Sequence, residues 1–113
     1  MAYETLEIKR SEEKVTIFLN RPEVHNAMNE PLMNELIDCF KKLQHDDSCR
    51  VIILTGKGKS FCAGADLNWM KSMVDYSKEE NIKDSNLLLD LYNLIYHCPK
   101  PVIAKVNGHA FGG

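Results

Sequence analysis

The hydrophobic period changes several times along this chain, and each change marks an element. In TLEIKR (5–10) Leu6 and Ile8 alternate with polar residues, and in KVTIFLN (14–20) Val15, Ile17 and Leu19 do the same. A period of two turns one face of an extended strand toward a core. Two such runs joined by the polar connector SEEK predict a β-hairpin. The connector has no Asn-Gly or Asp-Gly pair, so the turn type stays open. RPEVHNAMNEP (21–31), with two prolines and two asparagines, reads as a long loop. Leu32, Met33, Leu36, Ile37 and Phe40 then recur at helical spacing. Asn29 is placed to cap that helix, with Glu30 and Pro31 in its first turn. Asp46, Asp47 and Ser48 mark its end.

RVIILTG (50–56) holds a continuous apolar run and predicts a fully buried strand. From Ala65, ADLNWMKSM predicts a short helix with Leu67, Met70 and Met73 inward. A longer helix is expected over 78–97, its stripe supplied by Leu88, Leu91 and either Leu94 or Ile95, and Pro99 and Pro101 punctuate its end. VIAKV (102–106) predicts another buried strand, followed by NGHAFGG. The order β-β-α-β-α-α-β is an α/β pattern. Twice a strand leads into a glycine-bearing loop, FCAGAD (61–66) and NGHAFGG (107–113). Ligands of open α/β sheets sit at the C-terminal ends of strands, so both loops are candidate binding sites.

Composition narrows the function classes. The 113 residues make one small domain. Fourteen Lys+Arg against 16 Asp+Glu give a net charge of −2, which supplies no bulk attraction for nucleic acid or an anionic membrane. Lys57 and Lys59 are the one local basic pair of interest. The four cysteines, at 39, 49, 62 and 98, form no CxxC pair, and free thiols in a reducing compartment are the simplest account. MAYETLEIKR lacks the apolar stretch of a signal peptide, and no apolar run is long enough to span a bilayer. A cytoplasmic location is the expectation. FGG at 111–113 looks like the entry to a further element, so the sequence is expected to stop mid-fold.

The two loops were tested for chemistry one class at a time. GKGKS (56–60) resembles a phosphate loop, but a Walker motif ending in Gly58-Lys59-Ser60 needs glycine at 53, which is Ile. The dinucleotide pattern needs glycine at 61, which is Phe. A nucleophilic Cys62 needs a base, and His109 is the nearest histidine that also lies in a special loop, with nothing to place the two in contact. Cys62 and Asp66 lack the cluster that a metal site requires. Asp66 is better suited to stabilise a helix start. What remains is backbone: small residues at 63–65 let a ligand approach the main chain, and unpartnered N–H groups there and at Gly112–Gly113 can hold a developing oxyanion. The plain alternative is a pair of tight turns that need glycine for positive φ.

RPEVHNAMN (21–29), VIILTGKGKSFCAGADL (51–67) and KPVIAKVNGHAFGG (100–113) resemble, in order and spacing, the enoyl-CoA hydratase/isomerase (crotonase) superfamily. The resemblance covers the whole chain. It implies a crotonase-like spiral of β-β-α units, with residues 1–113 as the N-terminal part of a single domain. It implies a coenzyme A thioester as substrate and no permanently bound cofactor or metal. The thioester oxygen would be held by the backbone N–H groups of Ala65 and Gly113. Ala63, Gly64, Ala65, Asp66 and Leu67 would run along the CoA, joined by Val24, Asn26 and Ala27 from the earlier loop. Lys57 and Lys59 would either meet the CoA phosphates or stay solvated. Trp69 and Met70 resemble methylglutaconyl-CoA and related short-chain hydratases. The family pattern puts the proton-moving carboxylates beyond Gly113, so Glu23, Glu30 and Asp66 do not take their place. Hydration of a 2-enoyl-CoA is the expected reaction of the intact protein. Double-bond isomerisation and non-catalytic acyl-CoA binding are the alternatives. A homotrimer or hexamer is the implied assembly.

Overall fold

Alternating apolar residues do build the predicted hairpin. The computed structural model describes residues 2–113, in which β1 (Leu6–Ser11) and β2 (Lys14–Leu19) pair antiparallel, Leu6 opposite Leu19 and Ser11 opposite Lys14. The two-residue turn places Glu12 at φ 58°, a left-handed conformation that costs a non-glycine residue about 1–2 kcal/mol. The loop from Arg21 contains one 3-10 turn, Pro22–Val24. The helix α1 (Glu30–Gln44) then starts where expected, because the Asn29 side chain accepts a hydrogen bond from the Leu32 N–H at 3.1 Å.

β3 (Val51–Gly56) runs parallel to β2, which the α1 crossover makes possible. Beyond it lie β4 (Ser60–Cys62), α2 (Leu67–Ser72), α3 (Lys78–Tyr96), β5 (Val102–Ala104) and β6 (His109–Ala110). The main sheet has the order β1-β2-β3-β5, and β4 and β6 form a second, two-stranded parallel sheet. This β-β-α repeat is the crotonase-like spiral architecture. The inward faces of β2 and β3 (Val15, Ile17, Leu19, Ile52) meet Leu32, Met33, Leu36, Phe40 and Leu43 of α1, and Leu91 of α3 closes the core.

Several expectations are corrected. β3 is central, yet Val51 and Ile53 are only half-buried, because helices cover one face of the sheet, and Leu54, on the covered face, is half-buried where it lines an apolar pocket. β5 is an edge strand of three residues with Ile103 53% exposed, since it has a hydrogen-bonded neighbour on one side alone. The α2 helix begins at Leu67 rather than Ala65, and Met73 falls in a 3-10 turn. Its inward residue is Trp69, whereas Leu67 is 72% exposed and Met70 47%. β4 and β6 were not foreseen: strands of three and two residues are too short to show a period.

Candidate functional site

The two glycine loops lie side by side. β4 and β6 pair in parallel, and the Phe111 N–H donates to the Cys62 carbonyl at 2.9 Å. Gly64 and Gly112 have φ of 87° and 73°, which only glycine adopts without strain. They also touch: a Cβ added at Gly112 would sit 3.3 Å from the Gly64 Cα, and one added at Gly64 would sit 3.2 Å from the Phe111 carbonyl oxygen. At Gly108 the demand is space, since a Cβ there would lie 1.9 Å from the Lys59 carbonyl oxygen.

On its other side the first loop is held by Met28. The Met28 N–H donates to the Gly64 carbonyl at 2.7 Å, and the Asp66 N–H donates to the Met28 carbonyl at 2.8 Å. Alternate backbone groups of an extended segment point to opposite sides. The Ala65 N–H therefore points away from Met28, to the side on which Phe111–Gly113 runs. Among the described residues, neither the Ala65 N–H nor the Gly113 N–H donates to a backbone carbonyl.

Two hollows flank this loop. Val24, Ala27, Ala63, Ala65, Asp66 and Leu67 line an open groove of about 530 Å³, with Lys71 at its wall. Gly113 lines a separate apolar pocket of about 180 Å³ with Cys62, Leu91, Tyr92 and Phe111. So six of the expected contact residues share one groove, while Gly113 lines the apolar pocket. Gly64 lies between them. Asn26, expected in the groove wall, lies beneath it and is fully buried. Its amide is spent inside the protein, accepting from the Arg21 N–H at 2.8 Å and donating to the carbonyls of Lys57 at 3.0 Å and Ser60 at 2.9 Å.

Asn107 makes a matching clasp from the second loop. It accepts from the Gly56 N–H at 3.1 Å and donates to the carbonyls of Gly58 at 3.1 Å and Ser60 at 3.2 Å. Two side-chain amides thus converge on Ser60 and gather GKGKS into shape. Sequence reasoning missed both roles. The only signal was an asparagine in the first and in the third of the matched stretches.

The ionisable groups divide clearly. Burial pushes the Cys62 thiol up, and the Gly64 N–H beside its sulfur opposes this only partly, which disfavours a nucleophilic thiolate. The His109 ring stacks on Phe111 at 5.7 Å between centroids. No hydrogen bond joins His109 to Cys62 among the described residues. For Asp66, burial alone would raise the carboxyl. The Trp69 and Asn68 N–H groups and the Arg21 guanidinium outweigh it and hold Asp66 below the usual carboxylate range. Its side chain caps α2 through the Trp69 N–H at 3.0 Å, the helix-start role expected of it. Burial also raises the Tyr92 hydroxyl, and the nearby Cys62 adds to the effect. Lys57 sits 4.4 Å over the Phe18 ring and pairs with Glu7, so it is fixed on the outer face of the sheet rather than left free for a phosphate. Among the described residues no three His, Cys, Asp or Glu side chains gather in a way that could hold a metal ion.

Comparison with known proteins adds the context. Residues 10–113 match the family model described as Enoyl-CoA hydratase/isomerase. The chain is 36% identical over 99% of its length to the human mitochondrial Delta(3,5)-Delta(2,4)-dienoyl-CoA isomerase, and 37% identical over 98% to its mouse counterpart. In each case it spans 37% of the relative's length. Among solved structures it is similar to an enoyl-CoA hydratase from Shewanella pealeana, with a TM-score of 0.93 and 34% identity over 96% of this chain and 41% of that one. It is also similar to an enoyl-CoA hydratase from Mycobacterium smegmatis, with a TM-score of 0.84 and 38% identity over 91% of this chain and 40% of that one. A match across nearly the whole sequence, on a backbone of the same shape, means that this chain belongs to the enoyl-CoA hydratase/isomerase family.

Proposed function

We propose that the full-length protein acts on unsaturated acyl-CoA thioesters and shifts a double bond within the acyl chain. The observation that supports this best is the 36–37% identity to dienoyl-CoA isomerases over 98–99% of the chain. In this reading the groove lined by Val24, Ala27, Ala63, Ala65 and Leu67 takes the coenzyme A portion. The N–H groups of Ala65 and Gly113 take the thioester oxygen as it becomes an enolate. Donors already fixed in place cost no reorganisation when charge develops. A proton leaves the carbon next to the thioester and another returns further along the chain, so the net change is the position of the double bond. Asp66 takes no part in proton transfer, because Arg21 and the α2 N-terminus already hold it.

Hydration of a 2-enoyl-CoA is the second reading, favoured by the solved hydratases that share this backbone. The identity to dienoyl-CoA isomerases is what moves hydration, the expectation from sequence, to second place. A methylglutaconyl-CoA substrate belongs within it. Trp69 packs against the core and Met70 is half-exposed, so ordinary helix packing accounts for both residues that suggested it. A homotrimer or hexamer is the proposed assembly, and exposed Val74, Leu89, Ile103 and Val106 are apolar surface suited to being covered. A cytoplasmic location agrees with four free cysteines, and among the described residues no helix is long and apolar enough to cross a membrane.

The test presents the full-length protein with a 3,5-dienoyl-CoA and, separately, a 2-enoyl-CoA. Growth of the absorption of a diene conjugated with the thioester carbonyl, which the 3,5-diene lacks, supports isomerisation. Loss of the conjugated thioester absorption with the second alone moves the assignment to hydration. No change with either removes both.

A further inference from the structure

We propose that Arg21 is the positioning residue that ties the two walls of the groove together and aims the Ala65 N–H. The inference rests on the reading of Ala65 as an oxyanion donor.

Arg21 stands at the junction of both loops. Its Nη1 donates to the Ala27 carbonyl, and its Nη2 donates to Asp66 Oδ2 at 3.2 Å. One planar guanidinium therefore holds a backbone group of the 21–31 loop and a side chain of the 61–66 loop, across a sequence separation of 45 to the latter. The backbone at Arg21 is itself fixed, because its N–H donates to the buried Asn26 side chain. The grip is screened from water: side-chain exposures are 16% for Arg21 and 9% for Asp66. A charge-assisted bond in that setting is worth more than an exposed ion pair.

The geometry downstream is short. Asp66 Oδ1 caps α2, and the Asp66 N–H donates to Met28, whose own N–H donates to Gly64. Ala65 is the residue between those two backbone bonds. Its φ and ψ, and so the direction of its N–H, are set by where Gly64 and Asp66 are held. Arg21 pulls on Asp66 from one side and on Ala27, next to Met28, from the other. Lysine cannot replace it fully, because an ammonium lacks the fork that reaches two acceptors at fixed angles.

The experiment compares full-length wild type with Arg21→Lys and Arg21→Gln. Amide hydrogen exchange and steady-state kinetics on the thioester that wild type turns over are measured together. In Arg21→Gln the Met28 and Asp66 amides exchange about tenfold faster, while the Ile17 and Ile52 amides of the main sheet keep their protection. The kcat falls about tenfold with KM within about twofold, as expected when a donor acting on the transition state is misplaced. Arg21→Lys falls between the two, and carries the measurement if the Gln variant does not fold. Unchanged exchange at Met28 and Asp66 overturns the tie. Faster exchange at Ile17 and Ile52 as well makes Arg21 a general support of the fold and overturns it too. Local loosening with unchanged kcat overturns the link to Ala65. If wild type itself turns over no thioester, the enzymatic reading fails, and exchange alone still decides whether the tie exists.

Discussion

Asn26 shows why side-chain identity at single residues matters around this site. It is fully buried and serves one backbone donor and two backbone acceptors, the Arg21 N–H and the carbonyls of Lys57 and Ser60. Asn26→Ala takes this partner from the Arg21 N–H and the Lys57 carbonyl, while Ser60 keeps Asn107, and a loss of about 1–3 kcal/mol is expected, read from urea unfolding of the variant against wild type. Asp66 gives a pH signature. Its folded pKa lies below its unfolded value, so its contribution is present above the unfolded carboxylate pKa, about 3.9, and is lost as pH falls through the folded value. Asp66→Asn keeps an oxygen for the α2 cap but not the charge. The stability gap between wild type and this variant should shrink as pH drops below about 4, by thermal melts across a pH series. A gap independent of pH would show that the Arg21 pairing contributes nothing to folding.

At the scale of elements, legibility followed periodicity. β1, β2, α1 and α3 were readable because each repeats one burial pattern for long enough to reveal it. The α1 stripe was read as Leu32, Met33, Leu36, Ile37 and Phe40, and all but Ile37 are fully buried. Phe40→Ala, at the centre of that face, should cost about 3–5 kcal/mol, measured by chemical denaturation with unchanged m-value. β4 and β6 could not be read in this way. They exist because Gly108 admits the Lys59 carbonyl and because Asn107 and Asn26 close on Ser60. The inward face of α2 was misread because six residues make fewer than two turns, too few to tell a stripe at Leu67 and Met70 from one at Trp69.

For the whole molecule, the decisive fact is proportion. The chain spans 37% of the dienoyl-CoA isomerases that it matches. Its loops form a groove, and among the described residues Asp66, the acid next to Ala65, is already held by Arg21 and the Trp69 N–H. Residues 1–113 expressed alone are therefore expected to turn over neither a 2-enoyl-CoA nor a 3,5-dienoyl-CoA under conditions where the full-length protein does, in the same absorbance assays. Turnover by the piece would place the acid–base groups inside it and refute their assignment elsewhere.

The sequence by itself determined the β-β-α order, the capped helix, the paired glycine loops and, through three matched stretches, the family. These are carried by local period or by residue type, which neighbours in the chain suffice to express. Only the tertiary structure decided that Asn26 lies under the groove and not in it. It also decided that Lys57 is held by Phe18 and Glu7, and that the Gly64 and Gly112 loops lie against each other. Those outcomes depend on hydrogen bonds and ion pairs between residues 30 to 50 positions apart, such as Asn26 with Lys57 and Arg21 with Asp66. Such partners have no periodicity along the chain, and they meet only once the sheet and α1 have packed.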